Sequence, residues 1–309
     1  MQVKDIVPLV KESFAEWSED KASRLAAALA YYTVFSIPPL LIIAIAIAGQ
    51  VFGQEAAQDR IVAEITGLIG RDSAEALEAM IENARQPAEG LAAGALGLAF
   101  LLLGASGVFG QLQDALNTIW EVAPRPGRGI VGTITDRFFS FTMVLGVGFL
   151  LLVSLILSAA LAALNEFVAG LIPSLTILAQ IVNFLVSFGV ITVLFALIFK
   201  IVPDVEIAWS DVWVGAIVTA FLFTVGKLAI GLYLGNSAVT STYGAAGALV
   251  VILLWVYYSA QILFLGAEFT QVYANTYGSR IVADESAVPL TEEARQEQGI
   301  PHREMKEST

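Results

Sequence analysis

Apolar runs of about 18 residues or longer recur along this chain, each long enough at about 1.5 Å per residue to cross a hydrocarbon layer roughly 30 Å thick. That feature decides the solvent. In lipid every backbone N–H and C=O must find its partner within the chain, so the runs are readable only as helices. Composition points the same way, with 57% hydrophobic residues, 14% charged residues and a mean hydropathy of +0.76, far from the balance of a soluble domain. The expected fold is all-α: a polytopic bundle of six transmembrane helices with an N-terminal interfacial helix and a small extracytoplasmic helical cap.

The six spans fall at about 24–52, 91–110, 138–164, 175–201, 212–234 and 245–272, within a membrane domain covering 23–275. Ahead of them, residues 1–22 carry Ile6, Val7, Leu9, Val10, Phe14 and Trp17 at mixed three- and four-residue spacings among charges. This predicts an amphipathic helix, either lying at the membrane interface or packed on other cytoplasmic segments. The leading residues lack the pattern of a cleaved leader and are expected to be retained. Residues 54–90 are polar with apolar side chains at helical spacing, which predicts two short helices forming the cap, the second started by Asp72 or Ser73. The tail, 276–309, is polar, acidic and proline-punctuated, and is expected to be disordered. Six spans put both termini on one side. Lys4, Lys11, Lys21, Arg24, Arg125, Arg128, Arg137, Lys200 and Arg280 share that side, so both termini are expected to be cytoplasmic.

Several function classes are excluded by what is missing. The net charge of -12 gives no footprint for nucleic acid. With no cysteine and a single histidine, His302 in the tail, thiol chemistry, histidine catalysis and the common metal sites have no residues to build on. Neither a phosphate-binding G-x-x-x-x-G-K-[ST] loop nor H-E-x-x-H or G-x-S-x-G is present, nor is there a G-x-G-x-x-G after a strand. No catalytic residue, metal or cofactor is expected, and the chain is not expected to be an enzyme. Membrane lipids are the expected partners, with a lipid or small molecule as the candidate substrate.

The first span holds the most unusual local sequence: adjacent Tyr31 and Tyr32, then Pro38 and Pro39 in mid-helix. The prolines remove two backbone donors, which predicts a kink or break and leaves the Val34 and Phe35 carbonyls to be satisfied by Thr33 or Ser36. Lys227, about 10 Å below the outer end of the fifth span, is the clear intramembrane base. Intramembrane charges are costly and default to function; here the alternative is snorkelling to the outer interface. Antiparallel packing of the last two spans sets Lys227 level with Ile252 to Trp255, too far from Glu268 to pair. Arg24, Arg137 or Lys200 is the expected partner of Glu268, in a structural clamp rather than a proton relay. Trp255, Tyr258, Gln261 and Glu268 follow one helix face, a stripe that either glues helices together or lines a path. Candidates for a substrate path are therefore Tyr31, Tyr32, Ser36, Pro38, Pro39, Lys227, Tyr243, Trp255, Tyr258 and Gln261. Structural or gating candidates are Arg24, Asn117, Trp120, Arg137, Lys200 and Glu268. Gly49-x-x-x-Gly53 and Gly231-x-x-x-Gly235 allow close helix packing within a chain or between copies in a homo-oligomer.

AAALAYYTVFSIPPLL at 26–41, NTIW at 117–120, IVP at 201–203, VGA at 214–216 and TYGAAGALVVILLWVYYSAQILFLGAEF at 242–269 resemble the YihY/BrkB family of bacterial inner-membrane proteins. The resemblance covers about 20–273. It implies a six-span core in the inner membrane, an association of some members with virulence, and suspected export or flipping of lipids or small molecules. It also implies an old ribonuclease label, which the charge and the missing base argue against. Two functions follow as expectations: an ATP-independent transporter, exporter or flippase of a lipid or small, possibly anionic molecule, or a non-transporting scaffold or envelope-assembly factor.

Overall fold

The computed structural model describes residues 5–84, 107–125, 176–236 and 245–300. Of the expected spans, nearly all of 91–110 and all of 138–164 lie outside these residues, as do Arg137 and Tyr243. Four described helices are long and apolar enough to cross a bilayer: α2 (Ala22–Phe52), α6 (Thr176–Ile201), α7 (Trp209–Asn236) and α8 (Ala245–Thr276).

Helix α1 (Ile6–Glu19) packs on the bundle through one face. Leu9, Ser13 and Glu16 form a buried stripe, with Leu9 packed on Phe269 and Val272 of α8. Val7, Val10 and Phe14 remain exposed on the other face. Helix α1 and the end of α8 thus lie at one end of the bundle, called here the tail end.

Helix α2 runs through Pro38 and Pro39 as one helix of 31 residues, so the expected break is absent. Thr33 does not serve the carbonyls that the prolines strand; its Oγ1 donates to the Leu29 carbonyl at 2.6 Å. The helix survives because packing flanks the prolines on both sides, Val34 and Ile37 in one cluster and Leu41, Ile42 and Ile45 in the next.

Those clusters are completed by α3 (Gln54–Ile69) and α4 (Arg71–Ala84), which correct the expectation of a cap beyond the helix ends. Gly53 and Gly70, at φ +84° and +82°, turn the chain at each joint in a conformation that side-chain-bearing residues resist. After the first turn α3 doubles back along α2. Ile61 joins Leu41, Ile42, Ile45 and Ala48, and farther along Ile65, Leu68 and Ile69 join Val34 and Ile37. Helix α4 then climbs back, Leu77 against Val251 and Ile252 of α8 and Ile81 against Ile45. The hairpin tip therefore sits beside the middle of α2, next to the prolines. Helical spacing located the two helices correctly but carried no sign of the direction in which they fold.

Helices α7 and α8 pack through a reciprocal exchange. The Thr270 side chain occupies the space over Gly215, and the Thr219 side chain occupies the space over Gly266. Each threonine hydroxyl donates to the carbonyl four residues back, Thr219 to Gly215 at 2.7 Å and Thr270 to Gly266 at 2.6 Å, so no polar atom is stranded in the seam. Around it lies the main core, where Phe195 and Phe199 of α6, Leu116 and Trp120 at the end of α5 (107–119), and Phe264 of α8 converge. The far ends of α6 and α7 lack such cover: 180–185 and 227–229 are exposed on successive residues.

Residues 277–300 of the tail carry strands and a helix, against the expectation of disorder over 276–309. Strand β1 (Val122–Pro124) pairs antiparallel with β4 (Ala287–Pro289), and β2 (Val205–Glu206) pairs antiparallel with β3 (Val282–Ala283). A six-residue helix, α9 (Glu292–Glu297), follows, capped by Thr291 Oγ1 accepting from the Ala294 N–H at 3.3 Å. Ser279 donates from its N–H and hydroxyl to Asp211, both at 2.8 Å, fastening the end of α8 to the start of α7. Polar composition misleads here because the tail folds on partners distant in sequence rather than on an apolar face of its own.

Candidate functional site

The residues expected to line a path do not converge. Tyr31 and Tyr32 are exposed on α2, in edge-to-face contact with each other at 5.8 Å. Ser36 and Pro38 are buried and Pro39 is half-buried. Trp255, half-buried, sits edge-on to Phe223 of α7, and Tyr258 lies against Gly226. Gln261 is half-buried with its Oε1 lacking a hydrogen-bond partner. Lys227, next to Gly226, is therefore level with Tyr258 rather than with Ile252 to Trp255, and its side chain is exposed. It makes no ion pair with Glu268, as the spacing predicts.

The structural candidates gather at the tail end. Asn117 ties α5 to the turn after α6: its Nδ2 donates to Asp204 Oδ2 at 2.8 Å, and its Oδ1 accepts from the Asp204 N–H at 2.8 Å. Trp120 is buried, edge-on to Phe199 at 6.4 Å between ring centroids. Lys200 donates to the Ile207 carbonyl at 2.6 Å and Arg24 to the Gln298 carbonyl at 2.8 Å. Both are thus engaged with backbone, and neither clamps Glu268.

Glu268 is fully buried, and neither carboxyl oxygen has a hydrogen-bond partner. The charged groups acting on it are Asp20, Glu16, Glu121 and Arg295. Arg295 of α9 donates from Nη2 to Asp20 Oδ1 at 3.0 Å and from Nη1 to Glu121 Oε1 at 3.3 Å. Asp20 and Arg295 are about as buried as Glu268, at 2% and 3% exposure. Burial pushes the Asp20 carboxyl up to about 7; Arg295 pulls it down, and Glu121 and Glu16 add to the rise. Arg295 of the tail thus bridges Asp20 at the α1–α2 junction and Glu121 past the end of α5, and the charges of all three act on Glu268 of α8.

Sequence reasoning missed Asp20, Glu121 and Arg295 because it assigned the tail to solvent. The signal was present in the need itself: an acid buried in an apolar helix calls for a cation, and Arg295 is a lone base in the helical stretch that follows Thr291. If Glu268 is an unpaired buried acid and no clamp, Glu268→Gln, which keeps the volume and removes the ionisable group, raises stability by about 1 kcal/mol. A lower thermal midpoint in detergent would show that a clamp had been broken.

A cleft of about 420 Å³ is bordered by Arg24, Leu25, Asp114, Asn117, Thr118, Val122, Ala123, Pro124 and Gln298. Among the described residues no group of three or more His, Cys, Asp or Glu side chains is arranged to hold a metal ion.

Four helices among the described residues, each long and apolar enough to cross a bilayer, define an integral multi-pass α-helical membrane protein. The chain belongs to the family described as Virulence factor BrkB, whose model matches residues 13–291. It is 29% identical over 256 residues to a UPF0761 membrane protein of Halorhodospira halophila, covering 82% of this chain and 54% of that one. A UPF0761 membrane protein of Teredinibacter turnerae is 27% identical over 276 residues, covering 88% and 61%. One of Tolumonas auensis is 33% identical over 178 residues, covering 57% and 56%. The chain thus spans little more than half the length of these curated relatives. No solved structure matches it.

Proposed function

We propose that this protein is an ATP-independent transporter, exporter or flippase of a lipid or small molecule, working in the bacterial inner membrane with both termini cytoplasmic. The observation that carries the reading is the α3–α4 hairpin. Its tip lies against Val34 and Ile37, at the middle of α2, while Arg71 and Glu75 on its outer face form a 2.8 Å ion pair with side chains 82% and 61% exposed. Asp72 and Glu64 are exposed nearby. Charged side chains at that depth are too costly to face hydrocarbon, so their face borders water. A water-filled vestibule reaching mid-membrane suits a transporter and serves no purpose in a scaffold. An anionic substrate loses its support, since Lys227 lies on an exposed face and joins no cluster with the other path candidates.

The absence of cysteine makes the test direct. Glu75→Cys is expected to react with a membrane-impermeant maleimide added to sealed proteoliposomes, and Leu77→Cys, on the buried face, is not. Wild-type vesicles are expected to move at least one probe from a panel of fluorescent lipids and small solutes faster than empty vesicles, and a bulky maleimide at position 75 to slow that probe. An unreactive Glu75→Cys, or flux equal to empty vesicles for every probe, ends this reading in favour of the scaffold.

A further inference from the structure

We propose that the exposed apolar arc of α1 is a lipid-binding surface: Ile6, Val7, Val10 and Phe14 dip into the acyl chains of the tail-end leaflet, and α1 lies in the membrane plane as an anchor beside the bundle. The partner is the bilayer itself. This stands apart from the transport reading and is tested without flux.

Helical spacing gives α1 three faces rather than two. At about 100° of rotation per residue, the buried Leu9, Ser13 and Glu16 fall within an arc of about 60°. Beside that arc, Ile6, Val10, Phe14 and Val7 span about another 100°, and all four are exposed. Beyond them come Ser18, Lys11 and Ala15, exposed as well. A helix packed on protein and surrounded by water needs only the first face and the third. The middle face, apolar and uncovered, belongs to a helix with one flank on protein, one in lipid and one in water.

Depth and continuity select lipid as the occupant. Leu9 shares a cluster with Phe269 and Val272 of α8 and with Val214 and Val218 of α7. Phe269 and Val272 lie roughly 6 to 10 Å before the end of α8, counting about 1.5 Å per residue. Interfacial helices seat their apolar side chains at that depth, about 5–10 Å into the boundary between headgroups and acyl chains. Val214 and Val218 directly follow Trp213 and Ile217, two members of an exposed apolar stripe that continues through Phe221 and Val225. Helix α1 therefore borders the outer surface of a helix able to cross the bilayer, and lipid that wets this surface reaches α1. Aromatic side chains mark the same level: exposed Trp209 and Trp213 have ring centroids 6.5 Å apart, and Tyr273 and Tyr277 have theirs 6.1 Å apart. Tryptophan and tyrosine concentrate where membrane meets water. Asp20 and Lys21 alone join α1 to α2, so anchoring α1 fixes the depth at which α2 enters the membrane.

Because the chain has no cysteine, a nitroxide can be attached at one introduced cysteine at a time in the full-length protein. In nanodiscs of phosphatidylethanolamine and phosphatidylglycerol, labels at Val10→Cys and Phe14→Cys are expected to collide more with oxygen, which concentrates among acyl chains, than with a water-soluble nickel chelate. Labels at Lys11→Cys and Ala15→Cys are expected to show the reverse. A label at Phe221→Cys reports the hydrocarbon proper, and the α1 labels should fall at a shallower depth. Nickel dominating at Val10 and Phe14 would place the arc in water, and poor access to both reagents would place it against a second copy or another part of this chain; either result overturns the proposal. A second measurement uses no label. Val10→Ser/Phe14→Ser is expected to speed tryptic cleavage after Lys11 in the same nanodiscs by about tenfold or more, the scale of losing one buried apolar side chain. Unchanged cleavage would mean that these side chains bury nothing in lipid, and it too overturns the anchor.

Discussion

Replacing Gly215 or Gly266 by valine is expected to destabilise the protein by about 3 kcal/mol or more at either position, among the largest effects any single substitution should have. A Cβ at Gly215 would overlap the Thr270 hydroxyl and its Cβ, and one at Gly266 would overlap the Thr219 side chain in the same way. Neither threonine can turn aside at low cost, because each hydroxyl is bonded to the carbonyl of the other's glycine partner, Thr219 to Gly215 and Thr270 to Gly266. Relief therefore requires α7 and α8 to separate. In lipid, where apolar side chains gain little by leaving solvent for one another, close packing is the main source of helix association, and separation removes it. Gly231→Ala is the control, since no atom lies within 4 Å of a Cβ there. It should be neutral or slightly stabilising through its better helix propensity. Thermal midpoints and monodispersity in detergent report all three. Restoration of Gly215→Ala by a second change, Thr270→Gly, would show coupling through the contact itself. Valine variants that keep the wild-type midpoint would mean that this seam does not hold the two helices together.

The sequence carried the long helices plainly, because an apolar run in a membrane has one regular solution. Helices α2, α6, α7 and α8 fall where four of the six spans were expected, and α1 matches the amphipathic stretch at the N-terminus. What stayed hidden depends on tertiary partners. Periodicity found α3 and α4 but not their return along α2, since amphipathic spacing fixes which face is buried and says nothing about its burial partner. Of the kink or break expected at Pro38 and Pro39 the break is absent, because neighbouring clusters hold the turns on either side. The tail was misread for a related reason. Strands of two or three residues have no pattern to detect, and they form here because Asp204, Glu121 and Ser286 offer backbone partners: Asp284 N–H to Asp204, Leu290 N–H to Glu121 and Arg125 N–H to Ser286. Arg24 and Lys200 lie near the tail end of the spans, yet both spend their charge on carbonyls, and the tail supplies Arg295 as the neighbour of Asp20 and Glu121.

That neighbour makes the tail end sensitive to protons, and the sign can be worked out from Asp20. Its carboxyl titrates at about 7 in the folded chain against an ordinary value of 3.8. Between about pH 4 and pH 7 the folded protein keeps a proton on Asp20 that the unfolded chain has released. Stability attributable to this group is therefore fully present below about pH 4, falls as the pH rises toward 7, and levels off above it. Undocking of α9 exposes Asp20 to water, and because burial outweighs the pull of Arg295 on its carboxyl, the ionised group gains by it even as the ion pair is lost. Amide exchange across 287–300 is thus expected to quicken steeply from pH 5 to pH 7.5 once corrected for intrinsic rates. In Asp20→Asn, whose side chain still accepts from Arg295 but cannot ionise, the wild-type slope should be largely lost. The difference between the two proteins isolates Asp20 from every other titrating group. A tail that grows more protected in wild type than in Asp20→Asn as the pH rises would assign the reverse role to this carboxylate, that of a counter-ion whose charge holds Arg295 in place.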